Sequence, residues 1–261
     1  MTDQQPQPVQ TDNQQSNGQQ SMTSLGHMPH GDRWSFDTGV ATVFEDMLTR
    51  SIPQYPVMRE TVFDLASPFV KPHTAIVDLG CSRGDALAPF VKQFWHQSPC
   101  IGIEVSEPML IAARERFEQK ATIRRLDLRE TYPPEKASVT LSILTLQFTP
   151  IEHRQHIVRE AFRHTVPGGA FILVEKLLGA SAEINDLMVK QYYTLKAMNG
   201  YSQDEIDRKR LSLEGVLVPV TARWNEELLH MAGFTQVDCF WRWCNFAGWI
   251  AIKEVAHADI R

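Results

Sequence analysis

The chain has 261 residues, 43% hydrophobic and 22% charged, enough apolar material for one core with accessory helices. Its formal net charge of −5 argues against a protein whose main task is gripping a nucleic-acid backbone, and no direct nucleic-acid binding is expected. The four cysteines, Cys81, Cys100, Cys239 and Cys244, form no C-x-x-C pair and have no histidine at metal-ligand spacing, so they read as reduced thiols and no metal is expected.

Residues 1–31 are rich in Gln, Asn, Ser and Pro and hold few large apolar side chains. Such a segment cannot bury enough surface to offset its ordering entropy, which predicts a disordered tail ahead of one folded unit, 32–261. The N-terminus lacks a hydrophobic signal core and no apolar run is long enough to span a bilayer, so the expectation is a cytoplasmic protein with no membrane partner. Order is expected from Asp32-Arg33-Trp34-Ser35-Phe36-Asp37, after which Val40, Val43, Phe44 and Met47 recur at helical spacing with Asp37 as N-cap. Ser51-Ile52-Pro53-Gln54-Tyr55-Pro56 interrupts, and a helical pattern resumes over 57–69. These elements, 36–70, predict a helical cap beside whatever crevice follows. Tyr55, in a proline-flanked turn, either packs as an aromatic or offers its hydroxyl to a ligand.

The segment 74–104 carries the strongest pattern. The apolar run Ala75-Ile76-Val77 closes on Asp78, followed by the turn Gly80-Cys81-Ser82-Arg83-Gly84, a helical pattern over 86–94, and a second apolar run, Cys100-Ile101-Gly102-Ile103, ending in Glu104. Strand, glycine turn, helix, strand and acid make half of a doubly wound nucleotide-binding fold. Gly80 and Gly84 let the backbone turn tightly against a ligand, and the helix that follows offers free N–H groups to an anion. Glu104, at the end of the second strand, suits ribose hydroxyls. A turn this short, with Asp78 just ahead of it, need not enclose a pyrophosphate. It suits a nucleoside carrying an amino acid, S-adenosylmethionine.

Further along, Ser106-Glu107-Pro108 opens a helix to about 117, with Ser106 as N-cap and Pro108 in its first turn. A weak third strand, 123–126, ends at Asp127, which either meets the exocyclic amine of adenine or is an ordinary solvated acid. The apolar run 138–146 fits a central strand. A helix from 149 ends at Pro167-Gly168-Gly169, and these glycines feed a strand over 170–174 closed by Glu175-Lys176. Strand–helix alternation of this kind gives a parallel sheet with helices on both faces. The segment 183–217 breaks the alternation as a charged helical insertion, placed to cover the crevice and containing Tyr192-Tyr193, Asn199-Gly200-Tyr201-Ser202 and Asp207-Arg208-Lys209-Arg210. A helix over 223–231, stopped by Gly233, and an antiparallel hairpin of 236–243 with 246–253 complete the chain.

The turn also fits G-x-S-x-G, the nucleophile elbow of α/β-hydrolases, with Ser82 as nucleophile. That reading needs a later acid and a late histidine, His230 or His257. It leaves the second strand's terminal acid unexplained, and no HGGG-type loop precedes the turn.

The chain resembles the class I S-adenosylmethionine-dependent transferases and, more narrowly, the carboxy-S-adenosyl-L-methionine synthases. The resemblance runs from about Trp34 to Lys253. It is carried by Trp34-Ser35-Phe36-Asp37, Val43-Phe44-Glu45-Asp46-Met47, Arg50-Ser51-Ile52-Pro53-Gln54-Tyr55 and Asp78-Leu79-Gly80-Cys81-Ser82, and further on by Thr145-Leu146-Gln147-Phe148, Glu175-Lys176, Asn199-Gly200-Tyr201-Ser202, Lys209-Arg210 and Cys244-Asn245-Phe246. It implies a Rossmann-like α/β fold with a mostly parallel seven-stranded sheet, the C-terminal hairpin antiparallel, and a homodimer. It also implies conversion of S-adenosyl-L-methionine to its carboxylated derivative, with prephenate as carboxyl donor, for tRNA wobble-uridine modification. In that chemistry a sulfonium stabilises the carbanion beside it, and this carbanion traps carbon dioxide lost from prephenate. The enzyme supplies positioning and fixed charge.

Carried over by motif, Gly80, Cys81 and Ser82 hold the amino-acid half of the ligand, with Asp78 and Gly84 flanking them in the turn. Glu104 and Val105 face the ribose, and Asp127 and Leu128 the adenine. Tyr55 and Arg210 meet the added carboxylate, which a guanidinium can clasp bidentately. The family has Asn where this chain has Ile143, a His pair near Tyr192-Tyr193, and Asp-Asn-Ser where Glu104-Val105-Ser106 stand. These departures keep two other readings open: a methyltransferase acting on a small molecule, and a catalytically silent nucleotide-binding protein.

Overall fold

The computed structural model describes residues 33–255. The tail 1–31, Asp32 and residues 256–261, with His257, lie outside the described residues. The sheet is built on β1 (Ala75–Leu79), buried at every position. It pairs in parallel with β2 (Cys100–Glu104) on one side and β4 (Ala137–Ile143) on the other. Beyond these lie β3 (Thr122–Arg125) and β5 (Thr165–Leu178), also parallel, then β8 (Phe246–Ile252), antiparallel to β5, and β7 (Gln236–Trp243), antiparallel to β8 and so running with the parallel strands. The order β3-β2-β1-β4-β5-β8-β7 reproduces the expected seven strands, and the two-residue β6 (Val220–Thr221) adds a short pairing to the end of β5. Chain direction from β1 reverses between β1 and β4, the switch point at which doubly wound sheets bind ligands beyond their carboxyl ends.

Alternation along the strands sorts side chains onto two faces. Ile76, Val139, Leu141, Ile172 and Val174 pack against Met58 and Val62 of α2 (Tyr55–Ala66), Phe90 of α3 (Ala88–Phe94) and Phe117 of α4 (Glu107–Phe117). On the other face, Val77, Leu79, Phe171 and Leu173 meet Ile157 and Val158 of α5 (Ile151–His164) and Leu228 and Leu229 of α8 (Ala222–Ala232). A third cluster, Trp34, Val40, Phe44 and Met47 with Met109, belongs to α1 (Thr38–Ser51) and the segment before it.

Several boundaries depart from the sequence reading. Tyr55 is the first residue of α2 rather than part of a free turn. The helix after the glycine turn starts at Ala88, not 86, because Pro89 occupies its first turn, where a missing N–H is harmless. Ser106 stands at the N-cap of α4, but its hydroxyl donates to the Phe36 carbonyl at 2.6 Å instead of capping the helix. Strand β4 stops at Ile143, three residues early. Leu144 turns with φ +60°, and buried Glu175 accepts the N–H groups of Leu146 and Gln147 at 2.9 and 2.7 Å. Helix α5 ends at His164, and Pro167-Gly168-Gly169 lie inside β5. The register there shifts between the Ala137 and Val139 pairings, and Gly168, at φ +69°, bends the strand as a bulge.

The insertion forms α6 (Ala182–Met198) and α7 (Gln203–Ser212). Its Asn199-Gly200-Tyr201-Ser202 run is a joint. Gly200 turns with φ +86°, Asn199 donates to the Arg50 carbonyl at the end of α1 at 2.9 Å, and Ser202 caps α7 in a reciprocal box with Glu205. Cap and insertion thereby close over the carboxyl ends of β1, β4 and β5.

Candidate active site

A cavity of about 430 Å³ opens over this switch point, within the size range of small-molecule sites. Residues at the ends of neighbouring strands make its floor. Asp78 follows Ile76 on the cap-facing side of β1, Ile143 follows Leu141 on β4, and Lys176 follows Val174 on β5. The floor therefore runs from acid through an apolar centre to a cation.

At the acidic end, Gly80 has φ +71°, and a Cβ there would lie 2.4 Å from Thr145 Cγ2. Glycine is required at this position, and it brings the backbone to the cavity wall. Asp78 is buried, and its Oδ2 has no hydrogen-bond partner. Burial pushes its carboxyl up to about 7, with Arg59 drawing it down and Glu104 and Asp85 raising it further. A buried acid left unpartnered beside a glycine turn is a site for a cationic group, and the ammonium of S-adenosylmethionine fits it.

Glu104 accepts N–H groups from Ser82 (2.9 Å), Val105 (2.7 Å) and Ser106 (2.9 Å). It first ties the glycine turn to the end of β2, and roughly one of a carboxylate's four lone-pair directions is left for a ribose hydroxyl. Asp127 lines the cavity but is clasped by the Arg129 guanidinium, which holds its carboxyl below the usual range. An adenine amine would share it with that arginine. Cys81, Ser82, Val105, Leu128 and Ile143 also line the cavity.

Tyr55 reaches the cavity from the start of α2. Burial pushes its phenol up to about 12, keeping it a hydrogen-bond donor at neutral pH. From α7 comes Lys209, which also lines the cavity. Two residues of the sequence reading do not line it. Gly84, at φ +79°, is required because a Cβ would meet the Phe117 ring at 2.1 Å, so its role is to seat α4. Arg210 is about half exposed, with Asp207 as its nearest acid at 3.9 Å. Lys176 and Lys209 were missed as site residues. The alternation Ile172, Val174, Lys176 was the signal for the first.

Among the described residues no histidine lines the cavity, so Ser82, itself at φ +50°, has no imidazole beside it. His230 is bonded to the Phe234 carbonyl. A nucleophile elbow served by His230 is therefore not built here, and His257, the other histidine that reading offered, lies outside the described residues. Among the described residues no group of His, Cys, Asp or Glu is placed to hold a metal ion, and no helix is long and apolar enough to cross a membrane.

Fold and site together define a Rossmann-like, class I S-adenosylmethionine-dependent enzyme. A family profile described as "Methyltransferase domain" matches residues 76–169. Among solved structures, human N-acetylserotonin methyltransferase in complex with S-adenosylmethionine superposes with a TM-score of 0.57 at 15% identity, covering 84% of this chain and 56% of that one. A phosphoethanolamine N-methyltransferase from Haemonchus contortus gives 0.62 at 13%, covering 86% and 59%. The chain thus spans little more than half the length of these two proteins, and the likeness is one of fold.

Curated relatives are nearer. A carboxy-S-adenosyl-L-methionine synthase of Methylococcus capsulatus is 40% identical over 228 residues, 85% of this chain and 94% of that protein. One of Wolinella succinogenes is 37% identical over 229 residues, 86% and 95%. The chain belongs to the carboxy-S-adenosyl-L-methionine synthase family.

Proposed function

We propose that this enzyme converts S-adenosyl-L-methionine to carboxy-S-adenosyl-L-methionine with prephenate as carboxyl donor, and that the product serves tRNA wobble-uridine modification. The observation that carries the proposal is near full-length similarity to proteins of that name. The cavity supports it. Asp78 offers a partner to the ligand ammonium, Glu104 its remaining lone pair to the ribose, and Tyr55 a neutral donor to the new carboxylate. A homodimer is part of the proposal. Arg210 stands outside its own chain's cavity and half in solvent, so it would serve the carboxylate in a partner's site.

The test is the mass of the nucleoside released from purified protein, followed by turnover with S-adenosylmethionine and prephenate. A species one carboxyl group heavier than S-adenosylmethionine, formed in a prephenate-dependent way, is expected. Formation of S-adenosylhomocysteine without need of prephenate would instead indicate methyl transfer to a small molecule.

A further inference from the structure

Opposite the acidic end, Lys176 and Lys209 line the cavity, with Lys196 and Arg50 close behind them on shared aromatic rings. Lys176 Nζ lies 4.7 Å from the Tyr192 ring centroid, and Lys196 Nζ lies 5.6 Å from the same ring and 4.9 Å from that of Tyr201. The Arg50 guanidinium is 4.5 Å from Tyr201, and Lys209 Nζ is 4.3 Å from Trp34, with the Met47 thioether against it. The like charges thus share aromatic rings, contacts that π faces stabilise. Arg50 is paired with Asp46, but none of the three lysines forms a salt bridge among the described residues.

Buried charges are ordinarily paired. Here no acid among the described residues forms a salt bridge with these lysines, and two of the ammonium groups, those of Lys176 and Lys209, border the cavity. We infer that Lys176 and Lys209, backed by Lys196 behind Tyr192, form the subsite for the carboxylates of a dianionic second substrate. This deepens the preceding reading and rests on it: the cationic nucleoside takes the acidic end of the floor, and the anionic donor takes the lysine end. The two reactants then meet over the apolar centre at Ile143.

Depressed basicity agrees with this. Burial lowers Lys176 and Lys196 to about 8 each, Lys176 adding to the effect on Lys196, and lowers Lys209 well below its ordinary value with help from Lys196, Lys176 and Arg50. An incoming carboxylate relieves that repulsion. The Tyr192 ring carries both Lys176 and Lys196.

The test compares the full-length protein with Lys176→Met, Lys209→Met and Lys176→Arg. Methionine keeps most of the stem and removes the charge. Each methionine variant should raise the KM for prephenate about tenfold or more, the scale of one lost charge-assisted hydrogen bond, while S-adenosylmethionine affinity stays within about twofold. Lys176→Arg should keep most of the donor affinity, separating lost charge from lost packing. Calorimetric titration of prephenate into protein loaded with S-adenosylhomocysteine gives a readout without turnover. If the wild type neither reacts with prephenate nor binds it, the preceding reading and this one fail together. If it reacts but the methionine variants keep its KM, only the lysine subsite is overturned. Loss of nucleoside affinity with an unchanged donor KM would overturn it equally.

Discussion

The hydroxyl of Tyr201 lies 3.0 Å from Oγ of Ser51, 150 residues earlier in the chain, and both groups are buried. With Asn199 bonded to the Arg50 carbonyl, this hangs the insertion on the end of α1 and sets the position from which α7 lowers Lys209 onto the cavity. Tyr201→Phe should reduce unfolding free energy by about 0.5–1.5 kcal/mol, the usual net worth of one hydrogen bond. The expected result in urea is a lower midpoint with an unchanged slope.

The two glycines of the turn should separate binding from packing. Gly80→Ala sets a methyl against Thr145 on the cavity side, and Gly84→Ala drives one into Phe117 beneath α4. Both positions hold φ near the left-handed region, and each alanine should destabilise by about 1–3 kcal/mol through strain and overpacking. Only Gly80→Ala should also reduce S-adenosylmethionine affinity strongly. Adding Phe117→Leu should recover part of the stability lost in Gly84→Ala, measured by thermal and urea unfolding.

Asp78 should couple nucleoside binding to protons. Its carboxyl is raised in the folded chain from 3.8 to about 7, so between those values the folded state holds a proton that the unfolded state has released. Stability from this group is fully present below the lower value and is lost as pH rises through about 7. A cationic ligand favours the carboxylate and draws the value back down. Binding near pH 6 should therefore release up to about one proton, visible as a buffer-dependent calorimetric enthalpy. Asp78→Asn should abolish that dependence and weaken binding. A wild-type enthalpy indifferent to buffer would show that Asp78 does not titrate on binding.

Mixing variants tests the placement of Arg210. Alone, Arg210→Ala and Tyr55→Phe should each lose most carboxylation. If Arg210 serves the partner's cavity, co-refolding the two in equal amounts should restore about a quarter of wild-type activity, because half the dimers are mixed and one site in each is complete. If Arg210 serves its own chain, every site lacks one group and activity stays low.

Most of the fold was legible because it rests on local signals. The apolar run ending in Asp78, the glycine turn and the acid at Glu104 are set by strand period and turn sterics, and the structure keeps all of them in place. The misplaced boundaries come from contacts distant in sequence. The end of β4 is decided by Glu175, from the neighbouring strand, capturing two N–H groups of the following turn. The helix capping expected of Ser106 was lost to Phe36, brought there by the cap. The site divides in the same way. Its acidic end is a local motif, whereas the lysine end assembles β5, α6 and α7, each unremarkable as a string of letters. Arg210 drew attention as the residue next in line, yet helical phase within one chain turns Lys209 inward instead.

The leading part of the segment that roofs the cavity is fastened by few bonds. Trp34 N–H donates to the Ser212 carbonyl at 2.9 Å, Ser106 Oγ holds Phe36, and the Arg83 guanidinium holds the Ala41 carbonyl at 3.0 Å. Its apolar residues, with Met109 of α4, form a cluster distinct from the two that sandwich the sheet. Such a piece can detach as a cooperative unit while the sheet remains intact. Amide exchange should therefore be two-tiered: Trp34 should exchange through small openings, and Ile76 only through global unfolding. A ligand beneath the roof should slow the first tier alone, making the Trp34 amide a timer for how long each occupant stays.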